Sequence, residues 1–172
     1  RNITIESRNK LMVQEYAERE KQRGGDHLRK SIVFAVTKNH AAQLKRFFDE
    51  IFSQYKGNYA QIITSDTPNP GQIIKDFEKQ EFPVCLISVG MLDTGIDLPN
   101  IENLLMMRPT ASAVLYQQMR GRGTRKEPRI GKESFWIYDF VGNAEKFNDP
   151  MLENAVPGEK ALPKYLAQEI EE

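Results

Sequence analysis

Two short stretches carry residue types that could handle a phosphate-bearing ligand. In Gln117-Gln-Met-Arg-Gly-Arg-Gly-Thr-Arg125, three arginines fall within six positions. Arg122 and Arg125 are three residues apart, so on a helical turn they share a face. Guanidinium groups stay charged and present forked donors that match phosphate oxygens. A pair of them can neutralise charge that develops on a transferred phosphoryl group. Gly121 and Gly123 remove side chains that would crowd a ligand. A basic surface turn, or a salt-bridged helix end favoured by the dipole, would satisfy the same pattern. Lys126, Arg129 and Lys132 extend the positive patch and suit water or nucleic-acid backbone better than catalysis.

The second stretch is Ser88-Val-Gly-Met-Leu-Asp-Thr-Gly-Ile-Asp-Leu-Pro99. Gly90 and Gly95 permit close backbone approach or a positive φ. Asp93 and Asp97 offer acceptors, and Ser88 and Thr94 offer hydroxyls. Acceptors suit sugar hydroxyls, and amides at a helix start suit phosphate. The alternative is a tight strand-to-turn junction with Asx capping. No glycine-rich cradle ending in Gly-Lys-Ser/Thr occurs, and no strand-terminal pair of acids is evident to hold magnesium. A nucleotide hydrolysed at these arginines would need its phosphate cradle, magnesium ligands and base from another domain, with this chain reaching across a cleft.

The elements that must position these loops alternate. Ser31-Ile-Val-Phe-Ala35, Tyr59-Ala-Gln-Ile-Ile63, Val84-Cys-Leu-Ile-Ser-Val89, Leu104-Leu-Met-Met107 and Phe135-Trp-Ile-Tyr-Asp139 read as short, largely apolar strands. Near-continuous apolar strands favour a parallel sheet covered on both faces. Between them, Ala41, Leu44, Phe47, Phe48, Ile51 and Phe52 recur at helical spacing behind a Thr37 cap. Ile73, Ile74 and Phe77 mark another helix, and Ala113 to Met119 a third, capped by Thr110 or Ser112. The pattern predicts a doubly wound α/β domain whose right-handed crossovers gather the strand-to-helix loops at the carboxyl edge of the sheet.

Residues 4–22 read as a helix with a thin apolar stripe of Leu11, Met12, Tyr16 and Ala17, ended by Gly24 and Gly25. That helix is expected outside the main domain or in a link from an earlier one. The expected organisation is residues 1–28 as N-terminal helix and linker, 29–145 as the main lobe, and 146–172 as a polar, partly helical extension.

Composition sets outer bounds. In 172 residues, 24 Lys and Arg balance 24 Asp and Glu, so net charge exerts no long-range pull toward a polyanion. The lone Cys85 rules out an internal disulfide, and with only His27 and His40 zinc catalysis is not expected. No apolar run approaches the roughly 20 residues of a membrane helix. The chain starts at Arg1 with no signal-like segment, which fits a piece of a longer protein. Cys85, Tyr116, Trp136 and Tyr138 are expected to pack in or near the core, His40 to lie on a helix surface, and His27 in a linker. The acidic terminus, with Glu169, Glu171 and Glu172, is assigned no function.

The order of these stretches resembles the second RecA-like lobe of superfamily 2 helicases and translocases. Ser31-Ile-Val-Phe-Ala35 with Thr37-Lys-Asn-His-Ala41 resembles motif IV, and Gly95-Ile-Asp-Leu-Pro99 resembles motif V. Gln118-Met-Arg-Gly-Arg-Gly-Thr-Arg125 matches motif VI, Gln-x-x-Gly-Arg-x-x-Arg, at every fixed position. The similarity spans about residues 30–140. It implies a three-layer RecA-like (P-loop NTPase-like) domain with a mostly parallel central sheet and no Walker A of its own. Phe34-Ala-Val-Thr-Lys-Asn-His-Ala41, Met91 to Pro99, the motif VI octet and Ile137-Tyr-Asp-Phe-Val-Gly142 are similar to the forms found in the motor-containing restriction (R) subunit of type I restriction–modification enzymes. Gln118 stands where DEAD-box RNA helicases usually carry His, which disfavours RNA.

The resemblance implies roles. Arg125 is the expected arginine finger and Arg122 its partner on the γ-phosphate. Gln118 is expected to link nucleotide state to lobe closure beside Gly121, and Gly95 and Asp97 to sense the nucleotide. Thr37, Lys38, Asn39, Ser88, Gly90 and Thr94 are expected to follow DNA backbone phosphates. Relatives often have Thr-Asp where this chain has Val89-Gly90, so Ser88 or Thr94 is the expected substitute for the threonine hydroxyl. ATP and Mg2+ would be held mainly by a preceding RecA-like lobe of the same parent chain. Double-stranded DNA and the modification and specificity subunits would be partners, without a membrane, in a bacterial or archaeal cytoplasm. The fragment alone would be inactive. The alternatives are the second lobe of another superfamily 2 DNA helicase or remodeller, and an inert RecA-like binding module.

Overall fold

The computed structural model describes residues 4–91, 98, 100–110, 112–121 and 136–149. The element order is α1 (Ile5–Arg23), β1 (Ser31–Phe34), α2 (Lys38–Ile51), a single 3-10 turn (Ser53–Tyr55), β2 (Ala60–Ile63), α3 (Pro70–Lys79), β3 (Cys85–Ser88), β4 (Asn103–Met106), α4 (Ala113–Gly121), β5 (Trp136–Asp139) and α5 (Asn143–Lys146). The strands form one sheet in the order β2-β3-β1-β4-β5, and every neighbouring pair is parallel. This is the α/β architecture expected from the sequence.

Three layers follow from the two-residue alternation of strand side chains. Val33 and Ala35 join Leu44, Phe47, Phe48 and Tyr16 in one apolar cluster, while Ile32 and Phe34 join Phe77, Tyr116 and Met119 in the other. α1 and α2 therefore cover one face, and α3 and α4 the other. Cys85 is fully buried in the first cluster, and its thiol is pushed up by that burial.

α1 departs from expectation. Its buried apolar residues are Met12, Val13 and Tyr16, whereas Leu11 remains 44% exposed. The Tyr16 ring packs edge-on to Phe48 and Tyr138. Its hydroxyl lies 3.0 Å from Ser31 Oγ in β1 and 2.7 Å from Tyr59 OH just before β2, so a buried polar group is satisfied twice. Near the end of the helix, the Glu20 carboxylate accepts from Tyr138 OH at 2.7 Å, Arg23 at 2.7 Å and Asn103 Nδ2 at 3.1 Å. The helix contributes Met12, Val13 and Tyr16 to the core of the lobe, although its heavily charged sequence shows only a thin apolar stripe.

Tyr16→Phe keeps the ring and removes the hydroxyl shared by Ser31 and Tyr59. Unfolding free energy should fall by about 1–3 kcal/mol in urea titrations. An unchanged midpoint would show that this network does not hold α1 to the sheet.

Candidate functional site

Because all five strands are parallel and in register, their last residues form one row: Ile63, Ser88, Phe34, Met106 and Asp139. The segments that follow β1 and β3, and the one that leads into α4, leave the sheet at this carboxyl edge, where ligands bind in open α/β sheets.

After β1, Thr37 adopts an extended backbone and caps α2, its hydroxyl accepting the His40 amide at 3.1 Å. Thr37, Lys38 and Asn39 are exposed. The Lys38 ammonium is paired with the Asp66 carboxylate, which lies in the loop after β2. In sheet order β3 lies between β2 and β1, so this pair bridges the edge above the strand that leads to Gly90. Lys38 holds the Asp66 carboxyl below its ordinary value. With side chains 57% and 70% exposed, the pair adds little stability and is easily exchanged for another anion.

After β3, Gly90 has φ +70°, a backbone conformation that favours glycine there. Ser88 ends β3 in the strand row and is 1% exposed. Thr94, Gly95 and Asp97 lie outside the described residues.

α4 carries the start of the arginine stretch. Tyr116 and Met119 are fully buried against the sheet, leaving Gln117 and Gln118 exposed. The Ser112 amide donates to Thr110 Oγ1 at 3.1 Å ahead of the helix. Gly121 ends it, exposed. Arg122 and Arg125 lie outside the described residues, as do Lys126, Arg129 and Lys132.

A corner formed after β5 escaped the sequence reading. The Asp139 carboxylate accepts the amides of Asn143 at 3.1 Å and Ala144 at 2.6 Å, capping α5. Burial raises its pKa, and those amide bonds oppose the rise. Asn143 reaches back: its Oδ1 accepts the Thr110 amide at 3.2 Å and its Nδ2 donates to Arg108 O at 2.9 Å. Asp149 Oδ2 accepts from Tyr116 OH at 2.5 Å and Arg120 Nε at 2.6 Å. Both ends of the segment leading through α4 are therefore tied to the carboxyl end of β5. An Asp followed four residues later by Asn after Gly142 was the available signal, but its partners are about 30 residues away, and no spacing rule reaches that far.

His40 is a structural residue. Its Nδ1 accepts the Val36 amide at 3.1 Å, so the ring is neutral with its proton on Nε2, 3.2 Å from Asn9 Oδ1. Burial pushes its pKa down to about 4. His27, in the turn after α1, faces Glu102 at 2.9 Å.

The matches to known proteins agree with this geometry. Residues 10–127 match the helicase conserved C-terminal domain, and the chain belongs to that family. It is a second RecA-like lobe of a superfamily 2 helicase, similar to R subunits of type I restriction enzymes. Over 123 residues it is 35% identical to the EcoKI type I restriction endonuclease subunit of Escherichia coli strain K12, covering 65% of this chain and 10% of that one. Over 136 residues it is 32% identical to IRC3 of Saccharomyces cerevisiae, named as an ATP-dependent helicase, covering 78% of this chain and 18% of that one. A fragment described as an HsdR subunit of a type I restriction enzyme from Vibrio vulnificus YJ016 superposes with a TM-score of 0.77 at 26% identity, over 88% of this chain and 30% of that one. The chain thus spans a minor part of each of these relatives.

Acid should destabilise the lobe partly through His40. Its folded pKa of about 4 lies below the unfolded value near 6.5, so the unfolded chain binds the proton first as pH falls. Stability should be complete above about pH 6.5 and decline toward pH 4, by on the order of 2 kcal/mol from this group. His40→Asn keeps an acceptor near the Val36 amide and should flatten the melting temperature against pH across that window. An unaltered slope would show that another group controls acid sensitivity.

Proposed function

We propose that this chain is the second motor lobe of an ATP-dependent translocase acting on double-stranded DNA, of the kind built into type I restriction R subunits. The observation that carries the reading is the single row of strand ends, from which the loops of Thr37, Gly90 and the α4 segment all emerge. Similarity to the EcoKI subunit supports the restriction setting.

ATP sits in a cleft between this lobe and a preceding RecA-like lobe of the same parent chain. Arg125 reaches the γ-phosphate as the finger and Arg122 accompanies it; together they neutralise charge on the transferred phosphoryl group. Gln118, exposed beside them in sequence on α4, couples nucleotide state to closure, with Gly121 leaving room for the phosphates. Gly95 and Asp97 face the nucleotide. ATP and magnesium are held mainly by that preceding lobe.

Thr37, Lys38, Asn39, Ser88, Gly90 and Thr94 follow one strand's phosphates. Contacts of this type position the duplex without reading sequence and weaken with salt. Opening and closing of the cleft shifts these loops relative to those of the partner lobe and moves DNA. Sequence recognition and modification fall to other subunits, in a bacterial or archaeal cytoplasm. No described helix is long and apolar enough to cross a membrane.

A second reading, the same lobe in another DNA helicase or remodeller, is favoured by the similarity to IRC3 over 78% of the chain. Intact Arg122 and Arg125 argue against an inert binding module.

In the full-length parent, Arg125→Ala should lower ATP turnover by about 10³-fold or more while ATP affinity changes little. Near-normal turnover rejects the finger. Third-strand displacement from a triplex reports duplex translocation; a parent that moves only on single strands or RNA would overturn the duplex reading. The isolated 172-residue chain should have negligible ATPase activity, and robust turnover by it would refute the two-lobe site.

A further inference from the structure

We propose that Asp149 is a positioning residue for the last turn of α4, and through it for Gln118 and the arginine pair that follows in the sequence. The inference rests on the arginine-finger reading above.

Asp149 is 4% exposed, and one of its oxygens accepts from both the Tyr116 hydroxyl and Arg120 Nε. Its own amide donates to Ala144 O at 2.9 Å. Ala144 in turn donates to Asp139, the last residue of β5. An unbroken chain of short hydrogen bonds therefore runs from the carboxyl edge of the sheet to Arg120, two residues before Arg122. The other end of the segment is held by Asn143, through Thr110 and Arg108.

Apolar packing does not need this carboxylate. The buried Met119 and the Tyr116 ring, stacked 5.1 Å from Phe147, already hold α4 on the sheet. Dispersion and burial are non-directional and tolerate small rotations of a helix about its axis. Two charge-assisted bonds to one buried oxygen do not, because they fix both the azimuth and the height of the final turn. Groups that meet a transferring phosphoryl need placement well within 1 Å, and a small misplacement imposed from outside the site can cost about 10²-fold.

The test uses the full-length parent with DNA, comparing Asp149→Asn, Tyr116→Phe and Arg125→Ala. Asp149→Asn preserves size and loses the charge; Tyr116→Phe preserves the ring stack and loses one of the two donors. For Asp149→Asn, kcat for ATP hydrolysis should fall about 10- to 100-fold with KM for ATP within about threefold. Affinity for ADP with aluminium fluoride should fall while affinity for ADP alone is unchanged. Tyr116→Phe should move the same quantities less, and it carries the test alone if Asp149→Asn does not fold. Wild-type kcat and wild-type preference for the fluoride complex in the folded variants would overturn the positioning role. So would a parallel loss of plain ADP affinity, which marks a general structural defect. The two readings separate on Arg125→Ala: normal turnover there removes the finger itself, whereas an inactive Arg125→Ala beside an unimpaired Asp149→Asn removes only the positioning.

Discussion

Parallel pairing of five short strands is the constraint on which the rest depends. Each strand contributes only four residues, so no strand carries much burial alone. Stability comes from covering both faces, and parallel pairing makes each connection start at the same, carboxyl, end of the sheet. The chemistry collects at one edge because the sheet cannot be buried in any other way. Residues distant in sequence, such as Thr37 and Gly90, become neighbours of one boundary.

Buried carboxylates then fix what apolar packing leaves loose. At the amino end of the sheet, Glu20 gathers Tyr138, Asn103, Arg23 and Arg29 and so ties α1 to the starts of β1 and β4. At the carboxyl end, Asp139 and Asp149 organise α5 and α4. A buried charge is costly unless fully paired, so each of these groups specifies its surroundings closely. The exposed pair Lys38–Asp66 belongs to a different regime, in which solvent and salt decide whether the ammonium stays with its carboxylate.

The sequence was informative where periodicity or local spacing carries the information. β1, β3 and β4 were legible as apolar runs, α2 from its aromatic stripe, and the Thr37 cap from its position before that stripe. The octet from Gln118 to Arg125 stood out in the sequence because its glycines and arginines fall within eight consecutive positions. Burial was not legible in the same way, because whether a side chain is buried depends on what covers it. Tyr16 is buried by Phe48 and Tyr138, and Ser88 is buried at the end of a central strand flanked by Ile63 and Phe34. His40 looked like a surface residue until Asn9 of α1 closed over it.

Local order thus declared the class of the lobe, since strand runs, caps and short motifs are encoded within a few positions. The folded chain alone decided that Asp149 holds Tyr116 and Arg120, that Asn143 holds Thr110, and that Lys38 faces Asp66. These partners are 28 to 33 residues apart. No helical or strand period links positions that far apart, and only the return of the chain to one sheet edge brings them within hydrogen-bonding distance.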